Sequence, residues 1–207
     1  MENRTESARA DFKRAEELIE RALATSPRSS FAHFAKAVLL RAQGRAEEAI
    51  SEFEAVISFD RNWTYAISML GQCKFLTGSI DEAIPAAEQA IRLSPRDPGI
   101  GLWYWQIGMV HMLQSHIDEA IVWFERARRA NPGSRLPHAY LASAYALKGE
   151  IGRAAEQLAE ARRVTADNRY SSISCLRSAE YYGVPKVLRL FEATYFAGLR
   201  NAGMPEE

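Results

Sequence analysis

The chain has 207 residues, enough for one domain or one continuous solenoid, and its 26 Lys and Arg balance its 26 Asp and Glu. A net charge of zero removes the usual reason to expect nucleic acid or an anionic membrane as partner, because both bind basic surfaces. No apolar run approaches the ~20 residues that span a bilayer, and the first residues carry no signal-peptide pattern. We therefore expect a cytoplasmic protein without membrane insertion.

The first predicted element is a helix within residues 1–29. Ala15, Leu18, Ile19 and Ala22 recur at helical spacing and mark one apolar face. In the repeat described next, Ala15 and Ile19 correspond to positions of a second helix, so the first helix of this unit is missing. We expect these residues to follow another domain, and an atypical single-helix cap is the alternative.

Four units of 34 residues follow, at 30–63, 64–97, 101–134 and 135–168, with a three-residue insertion at 98–100. Each unit has small residues at its positions 8 and 20, which lets two helices cross closely. These residues are Ala37 and Ala49, Gly71 and Ala83, Gly108 and Ala120, and Ala142 and Ala154. The pattern resembles the tetratricopeptide repeat, a pair of antiparallel helices that buries its apolar face against its neighbours. It predicts an all-α, right-handed superhelix, or α-solenoid.

From Tyr170 onward the 34-residue repeat pattern is no longer present, so residues 169–207 are predicted to form a C-terminal capping segment. Val187, Phe191, Tyr195 and Leu199 form an apolar stripe at helical spacing. We expect a capping helix over about 185–201 that covers the exposed face of the fourth repeat.

The sequence offers no candidate catalytic, cofactor-binding or metal-binding residues. Cys73 and Cys175 stand alone, without a CxxC or Cys/His spacing. The histidines do not pair with each other and an acid at ligand spacing, and we expect His33, His111 and His138 to form local hydrogen bonds between paired helices. The chain also has neither a Gly-rich phosphate loop nor a Gly-x-Ser-x-Gly elbow. We therefore predict a protein that is not an enzyme and has no cofactor.

The candidate functional surface is the concave one, which positions 2, 5, 9 and 12 of each first helix line in a superhelix of this type. These positions carry one charged residue and are otherwise apolar or neutral. The residues expected to form the groove are Phe31, Phe34, Val38, Arg41, Tyr65, Gln72, Phe75, Leu102, Trp105, Met109 and Met112. Contiguous apolar surface on a monomer marks a binding site or is covered by another element.

Two interpretations of this groove remain open. In the first, it binds an apolar or amphipathic segment of a protein or peptide partner. In the second, the chain's own end or a second copy fills it, and a homodimer is one form of this. A clamp of Lys, Asn and Arg for acidic peptide termini is not expected, because the corresponding positions include Phe34, Val38 and Gln72.

Three strings are more specific than the repeat pattern: AIRLSPRDP at 90–98, ASAYALKG at 142–149 and LFEATYFAGLRNAGMPE at 190–206. Together they resemble the C-terminal tetratricopeptide region of rhizobial-type class III adenylate cyclases, from about residue 32 to the end. The resemblance implies a regulatory or scaffolding region, with any cyclase domain lying upstream. It carries over no cyclase active-site residue, because no part of this chain matches that domain.

Overall fold

The structure, a computed structural model, describes residues 2–207, with side chains from residue 10 onward. Throughout this range the chain forms helices and the turns between them, and none of these residues lies in a β-strand. The predicted all-α solenoid is confirmed.

The long helix α1 (Glu2–Thr25) precedes four helix pairs that stack side by side. Contacts between α3 and α4, α5 and α6, and α7 and α8 join each pair to the next. The pairs are α2 (Ser30–Ala42) with α3 (Ala46–Phe59), α4 (Thr64–Leu76) with α5 (Ala83–Leu93), α6 (Ile100–Leu113) with α7 (Ile117–Ala130), and α8 (Arg135–Leu147) with α9 (Ile151–Arg163).

Small residues allow the two helices of each pair to approach closely. Every residue at positions 8 and 20 of the four units is buried. At Gly108, a Cβ atom would lie 2.7 Å from the ring of Phe124 on the opposite helix, and at Gly71 it would overlap Ala86. A larger side chain at either glycine would push the pair apart.

The insertion at 98–100 is held by a single carboxylate. Asp97 Oδ1 accepts hydrogen bonds from the backbone N of Gly99 at 2.7 Å and from the Tyr65 hydroxyl at 3.2 Å. These bonds order the turn that leads into α6, which begins at Ile100.

After α9 the chain turns back along the solenoid. A 3₁₀ turn precedes α10 (Ile173–Ala179), α11 (Pro185–Phe191), a π turn (Glu192–Phe196) and α12 (Ala197–Asn201). We call residues 169–207 the C-terminal segment. Its final helix was expected to cover the exposed face of the fourth repeat, and it covers that repeat from the inner side, with α12 packed along α8.

Two histidines at the same position of their repeats link the paired helices. The Nδ1 atom of His33 lies 2.6 Å from Glu52 Oε2, and Nδ1 of His138 lies 2.8 Å from Gln157 Oε1. The prediction of local hydrogen bonds is correct for these two. It is wrong for His111, whose buried Nδ1 has no partner among the described residues.

The close approach at Gly108 predicts a large effect of a single methyl group. We expect Gly108→Ala to lower the free energy of unfolding by ~1–3 kcal/mol, since overpacking a tight core costs that much. Gly152→Ala on α9 is the matched control, because a Cβ added there would have no other atom within 4 Å. That change should stabilise the helix by ~0.5–1 kcal/mol. Equal effects of the two substitutions in urea denaturation would contradict this packing.

The Glu52 carboxylate predicts a pH-dependent contribution to stability. Burial alone would raise the pKa of Glu52, but hydrogen bonds from Lys36 and His33 outweigh it and lower the pKa. The stabilisation is therefore present above the pKa of the unfolded state and is lost as the pH falls through the lowered pKa.

We expect Glu52→Gln to cost about 1 kcal/mol of unfolding free energy near neutral pH, the usual net value of such a bond. The difference from the wild type should shrink towards zero as the pH falls through the lowered pKa of Glu52. Glu54→Gln, exposed on the same helix, controls for the substitution and should change stability by less than ~0.5 kcal/mol. Denaturation curves at several pH values test this, and a difference independent of pH would rule out the ion pair as its source.

Candidate functional site

The predicted groove residues all lie on the first helices α2, α4 and α6, and they differ in burial. Five residues on the second and third repeats are buried: Gln72, Phe75, Trp105, Met109 and Met112. The others are half-buried or exposed: Phe34, Val38, Arg41, Tyr65 and Leu102 are half-buried, and Phe31 is 78% exposed. The inner surface is thus closed at one end and open at the other.

The C-terminal segment closes the inner surface over the second to fourth pairs. The ring of Phe191 contacts Phe75 edge-on with centroids 6.1 Å apart, and Tyr195 stacks on Tyr140 at 4.1 Å. The hydroxyl of Ser143 on α8 donates a hydrogen bond to the backbone oxygen of Tyr195 at 2.8 Å. A large part of the predicted groove is therefore filled by the chain's own end.

Two close backbone contacts hold the stretch 184–198 of this segment, one at each end of the stretch. The N–H of Val184 donates to the carbonyl of Leu76 at the end of α4, at 2.9 Å. Gly183, the residue before Val184, has φ +87°. Its position leaves no room for a side chain, because a Cβ there would lie 2.6 Å from the Leu76 oxygen. At the other end, Gly198 lies so close to Ser143 that a Cβ would overlap its backbone.

The open end carries a group of aromatic side chains from the first repeat. Trp63 stacks on Phe34 with ring centroids 5.1 Å apart, and Phe31 meets Trp63 edge-on at 4.9 Å. Phe34 also contacts the buried Phe53. We call Phe31, Phe34 and Trp63 the aromatic cluster. Sequence reasoning missed Trp63, because it ends its unit and lies outside the four inner positions, and its aromatic character is the one signal that pointed to it.

A cavity of about 410 Å³ lies between the first helices and the C-terminal segment. Its walls combine apolar side chains, among them Phe75, Met109 and Phe191, with charged ones. The charged residues that line it are Arg41, Arg135, Arg169 and Glu180. The last three were not among the predicted site residues, because they lie outside the inner repeat positions and meet through the return of the chain.

Ion pairs tie part of this charge to the C-terminal segment. Arg169 donates to Glu180 Oε1 at 2.7 Å and to both oxygens of Asp167. The hydrogen bond from Arg169 lowers the pKa of Asp167 to about 2. Burial raises the pKa of the nearby Tyr182 hydroxyl, so this phenol is neutral at neutral pH.

The described side chains do not assemble a metal centre. Residues 10–207 contain no group of three His, Cys, Asp or Glu side chains placed to hold a metal ion. Cys73 is fully buried, and burial raises the pKa of its thiol to about 12, which keeps it protonated and unreactive. None of the described helices has the length and apolar character that crossing a membrane requires.

The repeat pattern matches a protein-family model described as "Tetratricopeptide repeat" at residues 4–66 and 69–135. The chain belongs to the tetratricopeptide repeat (TPR) family. The two matches span the N-terminal helix and the first three helix pairs.

Individual proteins resemble this TPR chain over different lengths. The Cell division cycle protein 27 homolog of Caenorhabditis elegans is 30% identical over 93 residues, which are 45% of this chain and 11% of that protein. The chain thus matches about a tenth of the length of this curated relative.

Solved structures share the fold at lower identity. TTC0263, a thermophilic TPR protein of Thermus thermophilus, has a TM-score of 0.66 and 19% identity, over 95% of this chain and 94% of that one. YrrB, described as a TPR protein with an unusual peptide-binding site, has a TM-score of 0.55 and 17% identity, over 89% and 90%.

The contact between Gly198 and Ser143 predicts how the C-terminal segment can be released. We expect Gly198→Ala to push α12 away from α8 and to increase amide hydrogen exchange in residues 173–201 at least tenfold. Exchange in α3 and α5 should stay unchanged, since the contacts of the C-terminal segment described above are with the first helices α4 and α8. Gly152→Ala is again the control. Uniformly faster exchange over the whole chain would mean that the segment and the repeats unfold together.

Proposed function

We propose that the chain is a non-catalytic protein–protein interaction module that binds an apolar or amphipathic segment of a partner on its inner surface. The observation that carries the proposal is the exposure of Phe31, packed beside Trp63 and Phe34 at the open end. An exposed aromatic side chain packed against two half-buried ones is typical of the anchor region of an interface.

The proposed binding surface is narrower than the groove predicted from the sequence. Phe75, Met109 and Met112 are covered, and a partner could reach them after the C-terminal segment had left. The aromatic cluster, with Val38 and Tyr65 beside it, needs no such rearrangement. The peptide-binding site in the description of YrrB supports the idea that a protein of this fold binds a peptide.

We also propose a cellular setting for this module. The string at 190–206 resembles the end of rhizobial-type class III adenylate cyclases, which supports a regulatory or scaffolding region of a cytoplasmic signalling protein. Proteins related to these cyclases carry the same region after a winged-helix regulatory domain. A class III cyclase or winged-helix domain encoded upstream in the same reading frame would therefore support this, and an unrelated upstream domain would contradict it. Any cyclase activity would then belong to that domain, and residues 1–207 incubated with ATP and a metal ion should form no cyclic nucleotide.

A second candidate function is a structural or oligomerising appendage. The filling of the inner surface by the chain's own residues favours it, because a filled groove acts as core. In that case the exposed Phe31 region would close a homodimer. Light scattering tests the oligomerising form of this candidate: a mass that stays monomeric at all concentrations excludes the homodimer.

Binding of peptides selected from a random display library tests the interaction module. We expect selected peptides to carry an aromatic or large aliphatic anchor and to lose at least tenfold in affinity for Phe31→Ala, because a truncated anchor costs ~2 kcal/mol or more. Val122→Ala, at an exposed apolar residue on α7, is the matched control and should bind normally. Peptides that bind both variants as well as the wild type would refute the assignment to this surface.

A further inference from the structure

We infer that the cavity between the first helices and the C-terminal segment binds a small organic anion, a carboxylate carried on an apolar body. The site is separate from the partner surface proposed at the aromatic cluster. Its volume of about 410 Å³ lies within the range of ~300–1,000 Å³ that is usual for small-molecule sites.

The charge of the lining residues is the first argument. Arg169 and Arg135 share Glu180, at 2.7 and 3.6 Å, and Arg169 also binds Asp167. Arg41 instead donates to the neutral amide of Gln72 at 3.1 Å. Three guanidinium groups and one carboxylate thus line the cavity. Even with Asp167, which lies outside the lining, the positive charges exceed the negative ones, and the excess favours an anion.

The unused hydrogen-bonding atoms are the second argument. Three residues that line the cavity have a buried nitrogen without an acceptor among the described residues: Nε of Arg41, Nε of Arg135 and Nε1 of Trp105. All three atoms are N–H donors. Buried donors are nearly always satisfied in proteins, and an ionised carboxylate supplies acceptors alone. Trp105 is 7% exposed, so its indole nitrogen is removed from bulk water.

The apolar residues of the cavity indicate that the anion is an organic one. Phe75, Met109, Leu102 and Phe191 line the same cavity. Inorganic phosphate would satisfy the donors but would leave these side chains without contact. An aromatic or aliphatic carboxylate satisfies both parts of the site, with its anion at the arginines and its body against the apolar side chains.

The lining residues come from two parts of the fold. Arg41, Trp105 and Arg135 belong to the repeats, whereas Arg169 and Glu180 belong to the C-terminal segment. A ligand that contacts both would bind the closed arrangement better than an open one. By linkage, it would stabilise the segment on the inner surface.

Isothermal titration calorimetry on the whole chain tests the site with defined probes. Phenylacetate and hexanoate carry the proposed anion and body, phenylacetamide is the neutral analogue, and inorganic phosphate is the anion without a body. We expect at least one of the two carboxylates to bind at least tenfold more tightly than phenylacetamide and phosphate. The bound carboxylate should also slow amide hydrogen exchange in residues 173–201 at least twofold.

Arg41→Met should weaken carboxylate binding at least tenfold, and Arg135→Gln provides a second variant if the first does not fold. Arg92→Met removes an exposed arginine on α5 and should bind like the wild type. The inference is overturned if neither carboxylate binds at millimolar concentration, if phosphate binds as tightly as they do, or if affinity is unchanged in the folded arginine variants. The aromatic cluster takes no part in this experiment, so failure here leaves the peptide test unaffected.

Discussion

The close approach of paired helices at small residues is the constraint on which the rest of the structure depends. Gly71 and Gly108 bring their helices so near to the opposite member that a single added carbon would overlap it. Because equivalent positions recur in all four units, the pairs stack in the same way, and their first helices line one continuous inner surface. Small residues thus set the geometry of the surface that larger residues then occupy.

That inner surface is too apolar to remain uncovered along its whole length. The C-terminal segment covers the inner surface of the later pairs. Tyr195 stacks on Tyr140, and Gly198 packs closely against Ser143. The cover does not reach the aromatic cluster of the first repeat, where Phe31 stays exposed. The candidate interaction surface is therefore the part of the solenoid's inner face that this segment does not reach.

Most of the fold could be predicted from the residues at fixed positions of the 34-residue repeat. Residues at positions 8, 20 and 24 of each unit are buried, as the packing of two helices requires. The sequence left open whether the chain's own end fills the groove, because the apolar stripe through Val187, Phe191 and Tyr195 fits the outer side of the last pair as well as the inner surface. Arg135, Arg169 and Glu180 line the cavity but were not predicted as site residues, because residues distant in sequence come together only where the chain folds back.

Arg41 connects the two candidate sites. It follows Phe34 and Val38 on the same helix at spacings of seven and three residues, which place it on the same helical face. It also lines the cavity under the C-terminal segment and bonds to Gln72 on the next repeat. A partner lying along α2 from the aromatic cluster would reach this guanidinium, and so would an anion in the cavity. The two sites share no residue of the aromatic cluster, so a partner confined to that cluster and the anion would bind independently. A partner that extends along α2 to Arg41 would alter the affinity for the anion, and the anion would alter the affinity for that partner by the same factor.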